Sequence, residues 1–342
     1  MTEEQHSALA ARTLSLEEPR WRQFRAAFAH RCPLGTESFA QRVRVLTELW
    51  QTFSPHASPL EKISPESDCP VCDATVQPIA ARRKHNQAPL IYGACRGCGL
   101  GVLLQGGIAG TIYQQASYYQ HRDAGNAGYE RYLAERAYRE AKGRRLLQWM
   151  VNHAQRKLTT LLEIGSGFGF TRAAAEQLGM VTAGVDVNPF AARMAAAIYG
   201  QMTFTGTLAD ASAATAIEPH HWDAMLYLFV LEHLPTPQEE LFLAAQMLAP
   251  GGVLALVVPN MQALEREIFG ASYRSFRHDH LWLFSVPSLQ LLLERAGLTL
   301  IAAASECNIR LLSGFLTEQE LNQLELDCRA ADLLVLAERK SS

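Results

Sequence analysis

The sequence predicts an α/β fold, a mostly parallel sheet covered by helices, preceded by a small cysteine-rich module and a helical N-terminal stretch. Three observations carry this. Apolar runs of strand length alternate with helical patterns from residue 159 onward. The first of these runs stops at a turn with glycine at every second position. Ahead of them stand two C-x-x-C pairs.

Residues 1–60 read as helical. Trp21, Phe24 and Phe28 follow an i, i+3, i+7 spacing, and Phe39, Val43, Leu46 and Trp50 repeat it after the Cys-Pro-Leu-Gly break at 32–35. Such a hairpin packs on the body of the chain or, in a homodimer, on a second copy; a substrate lid is the other use for it. A Ser/Pro-rich linker, "SPHASPLEKISPESD", follows. The cysteine module then spans 61–107, and 108–342 forms the main domain.

Cys69 and Cys72, then Cys95 and Cys98 after twenty-two intervening residues, have the spacing for one tetrahedral zinc held by four thiolates. Four thiolates leave no position for water, so this ion would be structural. A redox role is the rival for each pair, but doubled redox motifs are rare in so short a window.

Residues 129–157 carry a helical pattern rich in Arg, Glu and Leu. Strands are expected at 159–164, 180–185, 203–205, 223–228 and 252–258, and the runs at 298–304 and 332–337 would complete seven. The turn "LLEIGSGFGF" places Gly165, Gly167 and Gly169 after Glu163. A dinucleotide fingerprint needs glycine where Phe170 stands, and a P-loop needs a lysine that is missing nearby. Backbone at such glycines can approach a ligand closely, where a Cβ would collide with it. One strand later, in "VTAGVDVNP", Asp186 ends an apolar run at the place where a carboxylate takes a ribose diol. A ribose acceptor without a pyrophosphate loop points to an adenosine ligand lacking phosphates.

These segments, with "WDAMLYLFVLEHLPTP" and "LAPGGVLALVVPN" following in order, make the chain resemble class I S-adenosylmethionine-dependent methyltransferases from about residue 110 to the end. The resemblance implies a seven-stranded Rossmann-like sheet. It implies that Gly165, Gly167 and Gly169 line the methionine part of the cofactor, with Glu163 near its ammonium. Asp186 would hold the ribose, Val187 would flank the adenine and Asp210 would face its amino group. Leu228, Phe229 and Tyr118 would wall the cofactor.

The cysteine module, "YYQ" at 118–120 and the "HDHL…FS" stretch further resemble nucleotide-sugar C-methyltransferases and related small-molecule enzymes. That likeness implies acid/base work by Asp279 and His280, with His278 beside them. It implies a reaction type and not a substrate. The acceptor expected is a small molecule, such as a sugar or secondary metabolite.

Composition sets the outer limits. A chain of 342 residues with 48% apolar content can bury a large core, and no apolar run approaches membrane-spanning length. Seven cysteines without a secretory signal suggest thiols kept reduced in the cytoplasm. A formal charge of −3 gives no overall pull toward nucleic acid, and Arg82-Arg83-Lys84 reads as a solvated loop. Two alternatives stay open: an RNA methyltransferase that binds RNA through the cysteine module, and a non-catalytic binding subunit.

Overall fold

The computed structural model describes residues 19–32, 37–53, 67–82, 89–108, 110–121, 128–306 and 309–340. Most of the Ser/Pro-rich linker, and Arg83 and Lys84 of the basic cluster, lie outside them.

Helices α1 (Pro19–Arg31) and α2 (Phe39–Phe53) form the expected hairpin. Its apolar stripe is buried within this chain. Trp21, Phe24, Phe28 and Leu46 share a core with Phe269, Leu312 and Phe315. Trp21 meets Phe315 edge-on at 5.7 Å between centroids, a favoured aromatic arrangement. Trp50 Nε1 donates to the Phe269 carbonyl at 3.2 Å, and the buried Arg42 pairs with Glu320.

Strands β1 (Ser67–Asp68), β2 (Thr75–Arg82), β3 (Leu90–Cys95) and β4 (Gly101–Gln105) build the cysteine module as an antiparallel sheet. The chain then runs through short 3-10 turns into α3 (Arg136–His153) and the main sheet. That sheet alternates as β5 (Thr160–Ile164), α4 (Phe170–Gln177), β6 (Val181–Asp186), α5 (Pro189–Tyr199) and β7 (Thr203–Thr205). It continues with α6 (Leu208–Ala213), β8 (Trp222–Leu228), α7 (Pro237–Met247), β9 (Leu248–Pro259) and α8 (Leu264–Phe269). The two-residue β10 (Trp282–Leu283) precedes α9 (Val286–Arg295), β11 (Leu298–Glu306), α10 (Ile309–Leu312), α11 (Glu318–Leu326) and β12 (Asp332–Arg339).

The seven-stranded sheet has the order β11-β12-β9-β8-β5-β6-β7. The five strands from β9 to β7 run parallel, and β12 and β11 add antiparallel. Parallel strands must be covered on both faces, and the near-continuous burial of β8 and of β9 from Val253 satisfies that. Strand order reverses between β5 and β8, which opens a crevice at their carboxyl ends where ligands collect in such sheets.

The expected boundary at 107/108 is crossed. β10 pairs with β4, Trp282 opposite Val102, so a strand from the main domain completes the cysteine module's sheet. Cys69, Val76, Cys95, Cys98 and Leu100 belong to the same buried core as β5, β8 and β9.

Candidate active site

At the end of β5 the chain turns back through Gly165 and Gly167, at φ 67° and 54°. That region is costly for any residue with a Cβ. The neighbours supply a second reason, different from the one expected. A Cβ at Gly165 would run into Val230, and one at Gly167 into the Tyr132 hydroxyl. Close packing within the protein, more than the approach of a ligand, demands these glycines. The turn is clamped from β6: Gly167 N and Asn188 N donate to the two Asp186 oxygens at 2.8 Å each. Asn188 then caps α5, accepting from Phe190 N and Ala191 N.

These groups open onto a cavity of about 1620 Å³. Single ligands of drug size fill about 300–1,000 Å³, so cofactor and acceptor fit together. Glu163, Gly165, Asp186, Val187, Leu228, Phe229, Tyr118 and Asp279 line it. Gly167, Gly169, Asp210, His278 and His280 do not. Asp210 is exposed and caps α6, accepting from Thr207 N at 2.9 Å. His278 Nδ1 bonds the Gly106 carbonyl. Gly169 begins α4 in the left-handed region.

The structure offers a specific fit for an aminoacyl-adenosine cofactor. Glu163 faces the cavity with Oε2 unpartnered and buried, the state of a carboxylate waiting for a cation. Burial, opposed by Arg172, raises its carboxyl to about 7. Asp186 keeps spare acceptor capacity for a diol, and burial raises its carboxyl too. Over the turn lies an aromatic cover, with Tyr119, Tyr132 and Phe168 in mutual ring contact. At the end of β8, Phe229 adopts a left-handed φ of 56°, an outlier for a bulky residue, with Lys142 5.0 Å from its ring centroid.

On the facing wall, residues 277–283 are zipped to the cysteine module. Tyr92 Oη on β3 shares its one O–H between the carbonyls of His280 and Arg277, at 2.5 and 2.7 Å. Ile108 N donates to His278 O, and Leu103 N to Leu281 O. From the other side Leu281 N donates to Glu232 O, and Trp282 Nε1 to Leu234 O. Arg277 holds Asp279 through two bonds of 2.8 Å. Burial alone would raise the Asp279 carboxyl, but the guanidinium overrides it and keeps it ionised well below the ordinary range.

This loop brings together residues that are far apart in sequence. His233, in the 3-10 turn Leu231–His233 that follows β8, lies with its ring 5.0 Å from that of His280, and its Nδ1 meets Tyr113 Oη at 2.8 Å. Burial lowers the proton affinity of both imidazoles. Glu232 is fully buried beside them. Tyr113, Glu232 and Arg277 drew no site assignment from the sequence. The Glu-His pair directly after an apolar strand was the available signal, since that position lies at the mouth of the crevice.

In the module, the Cys69 and Cys98 sulfurs stand 3.7 Å apart, those of Cys72 and Cys95 3.3 Å, and all four lie within 4.8 Å of one another. Four thiolates around one zinc at about 2.3 Å stand about 3.8 Å apart. Backbone N–H groups of Val71, Gly97 and Cys98 point at these sulfurs. The donor set fits a tetrahedral ion.

The chain is similar to known proteins over part of its length. The chain is 28% identical over 167 residues to a ubiquinone biosynthesis O-methyltransferase of an Azoarcus species, covering 46% of this chain and 71% of that one. It is 26% identical over 131 residues to the same-named protein of Burkholderia multivorans, covering 37% and 56%. The solved structure of an S-adenosylmethionine-dependent methyltransferase from Archaeoglobus fulgidus aligns with a TM-score of 0.45 at 17% identity, over 60% of this chain and 98% of that one. A family model described as a methyltransferase domain matches residues 129–303, just over half of the chain. The chain therefore belongs to the methyltransferase-domain family and is an S-adenosylmethionine-dependent methyltransferase.

Proposed function

We propose that the protein transfers the sulfonium methyl to a small-molecule acceptor, held between the glycine turn of β5 and the Tyr113–His233–Asp279 wall. The observation that supports this most directly is the single cavity joining Glu163 and Asp186 on one side to Tyr113, His233 and Asp279 on the other. Glu163 would take the cofactor ammonium and Asp186 its ribose diol, with Val187, Leu228, Phe229 and Tyr118 around them. The cofactor supplies an activated methyl; the protein has to align the acceptor with it in a dry pocket and accept one proton.

His280, Asp279 and His278 take separate parts in this scheme. His280 stands behind His233 and shares the handling of the acceptor proton with it. Asp279, fixed by Arg277, orients His233 through its carbonyl, 2.6 Å from Nδ1. His278 anchors the loop to Gly106. One zinc on Cys69, Cys72, Cys95 and Cys98 would hold the module, and through Tyr92 the module would hold the loop. Incubating the full chain with S-adenosylmethionine and a fractionated small-molecule pool should yield S-adenosylhomocysteine and a product heavier by one CH2. Cofactor turnover that depended on added RNA, and not on any small molecule, would overturn the acceptor class.

A further inference from the structure

Glu232 has no use in the scheme above. It has no exposed surface, and neither carboxylate oxygen has a hydrogen-bond partner on another residue. A buried acidic side chain left this way costs free energy unless something neutralises it. Arg277, the nearest guanidinium on the loop, is committed to Asp279.

Two imidazoles face Glu232, and their hydrogen bonds set which nitrogen is free. His233 Nδ1 lies 2.6 Å from the Asp279 carbonyl, and His280 Nδ1 2.9 Å from the Ser275 carbonyl. A carbonyl only accepts, so each Nδ1 carries the proton and each Nε2 keeps a lone pair. This is the orientation that metal-binding histidines take, with the far nitrogen tied to a backbone acceptor. His233 Nε2 stands 3.9 Å from Glu232 Oε1, and one ligand atom from each of the three residues falls within 4.8 Å of the others. Bonds of about 2.1 Å need that cluster to close by on the order of 1 Å, within reach of rotation about the Glu232 side chain. His233 faces the cavity, so the remaining positions on an ion would open toward the acceptor.

From this geometry we infer that Glu232, His233 and His280 form a second metal site, distinct from the four cysteines, for a divalent cation of the zinc, manganese, iron or cobalt type. Two nitrogens and one carboxylate favour such ions over magnesium or calcium. The inference rests on the proposed placement of the acceptor and deepens it. The acceptor class becomes a hydroxyl whose oxygen binds the cation and gives up its proton to solvent. That oxygen attacks the methyl carbon, the carbon–sulfur bond breaks with its electron pair on sulfur, and neutral S-adenosylhomocysteine leaves. His280 is then a ligand, and the proton it was expected to take leaves through solvent.

The test uses the full chain with its cysteine site zinc-loaded, titrated with Co2+ alone and followed by calorimetry and visible absorption. Wild type should bind one further equivalent, with weak visible bands and no sulfur-to-cobalt charge transfer. Glu232→Gln and His280→Gln should each weaken that equivalent by about 10²-fold or more. Glu232→Gln has the same shape and no charge, so the fold should tolerate it, and an unchanged near-UV spectrum with the cysteine-site zinc retained verifies this for both. Absence of a further equivalent in wild type overturns the site, as does equal uptake by the variants. Methyl transfer without the second ion would leave the proposed function standing and remove only the metal; a bound ion with no methyl transfer would do the reverse.

Discussion

The two walls of the cavity are built by opposite means. The polar anchors of the cofactor side come from one continuous stretch: Glu163, the glycine turn and Asp186 all lie between β5 and the end of β6. The facing side is assembled from Tyr92, Tyr113, Glu232–His233 and residues 277–283, joined by hydrogen bonds between distant segments. The first wall is braced by the sheet itself. The second depends on the cysteine module, so damage to the module should disable chemistry while leaving the cofactor site in place.

The largest effect should come from breaking the second wall at its source. Cys95→Ser should unfold the module, because a structural ion of this kind supplies folding free energy directly. Turnover should vanish while S-adenosylhomocysteine still binds, as calorimetry would reveal; equal loss of both would show that the walls are not separable. Next comes His280→Ala, expected to lower kcat by about 10²–10⁴-fold, the range for losing assistance to deprotonation of the acceptor, with cofactor affinity unchanged. Steady-state turnover near wild type across pH 6–9 would remove His280 from the chemistry.

On the first wall the pattern should reverse. Asp186→Ala should cost about 1.5–3 kcal/mol of cofactor binding, the range for a hydrogen bond to a charged group, measured as the S-adenosylhomocysteine Kd. The most gradual effect is a pH dependence. Glu163, facing Arg172, Thr171 and Asp186, has its carboxyl raised by burial from 4.5 to about 7, so below that pH it is neutral. Affinity for the cationic cofactor should therefore rise with pH, by at most about tenfold per unit below 7, and level off above. In the unliganded fold the sign is opposite. A raised carboxyl binds its proton more tightly when folded, so stability falls as pH climbs from 4.5 to about 7. Glu163→Gln should flatten both profiles in parallel titrations of binding and of urea unfolding.

The same contrast governs what the sequence disclosed. Strands expected at 159–164, 180–185 and 203–205 match β5, β6 and β7 within a residue, because each is a short apolar run closed by a turn. β9 starts earlier than its expected 252, at Leu248, where Trp222 takes it up across a register shift that no local pattern encodes. Thr207 and Asp210 already had capping-box spacing, a local signal that weighs against a free carboxylate for adenine. Tyr113 gave no such sign, and Glu232 only its place beside His233 after an apolar run. Their roles come from what lies opposite them, the Asp279 carbonyl for Tyr113 and the His280 ring for Glu232, and that is settled only when the loop at 277–283 docks. β10 was invisible for the same reason: two residues carry no period, and Trp282–Leu283 is a strand only because β4 is there to pair with it.

That pairing also sets a schedule for synthesis. Trp282 follows its partner Val102 by 180 residues. At about 5–20 residues per second, a ribosome takes roughly ten to thirty-five seconds to deliver it after the module's own strands have emerged. For that interval the module has an open edge and its four thiols lack part of their cover. A nascent chain is then exposed to oxidation and to wrong strand partners that the finished protein never meets. Early capture of an ion by the two cysteine pairs would protect the module until the rest of the chain arrives.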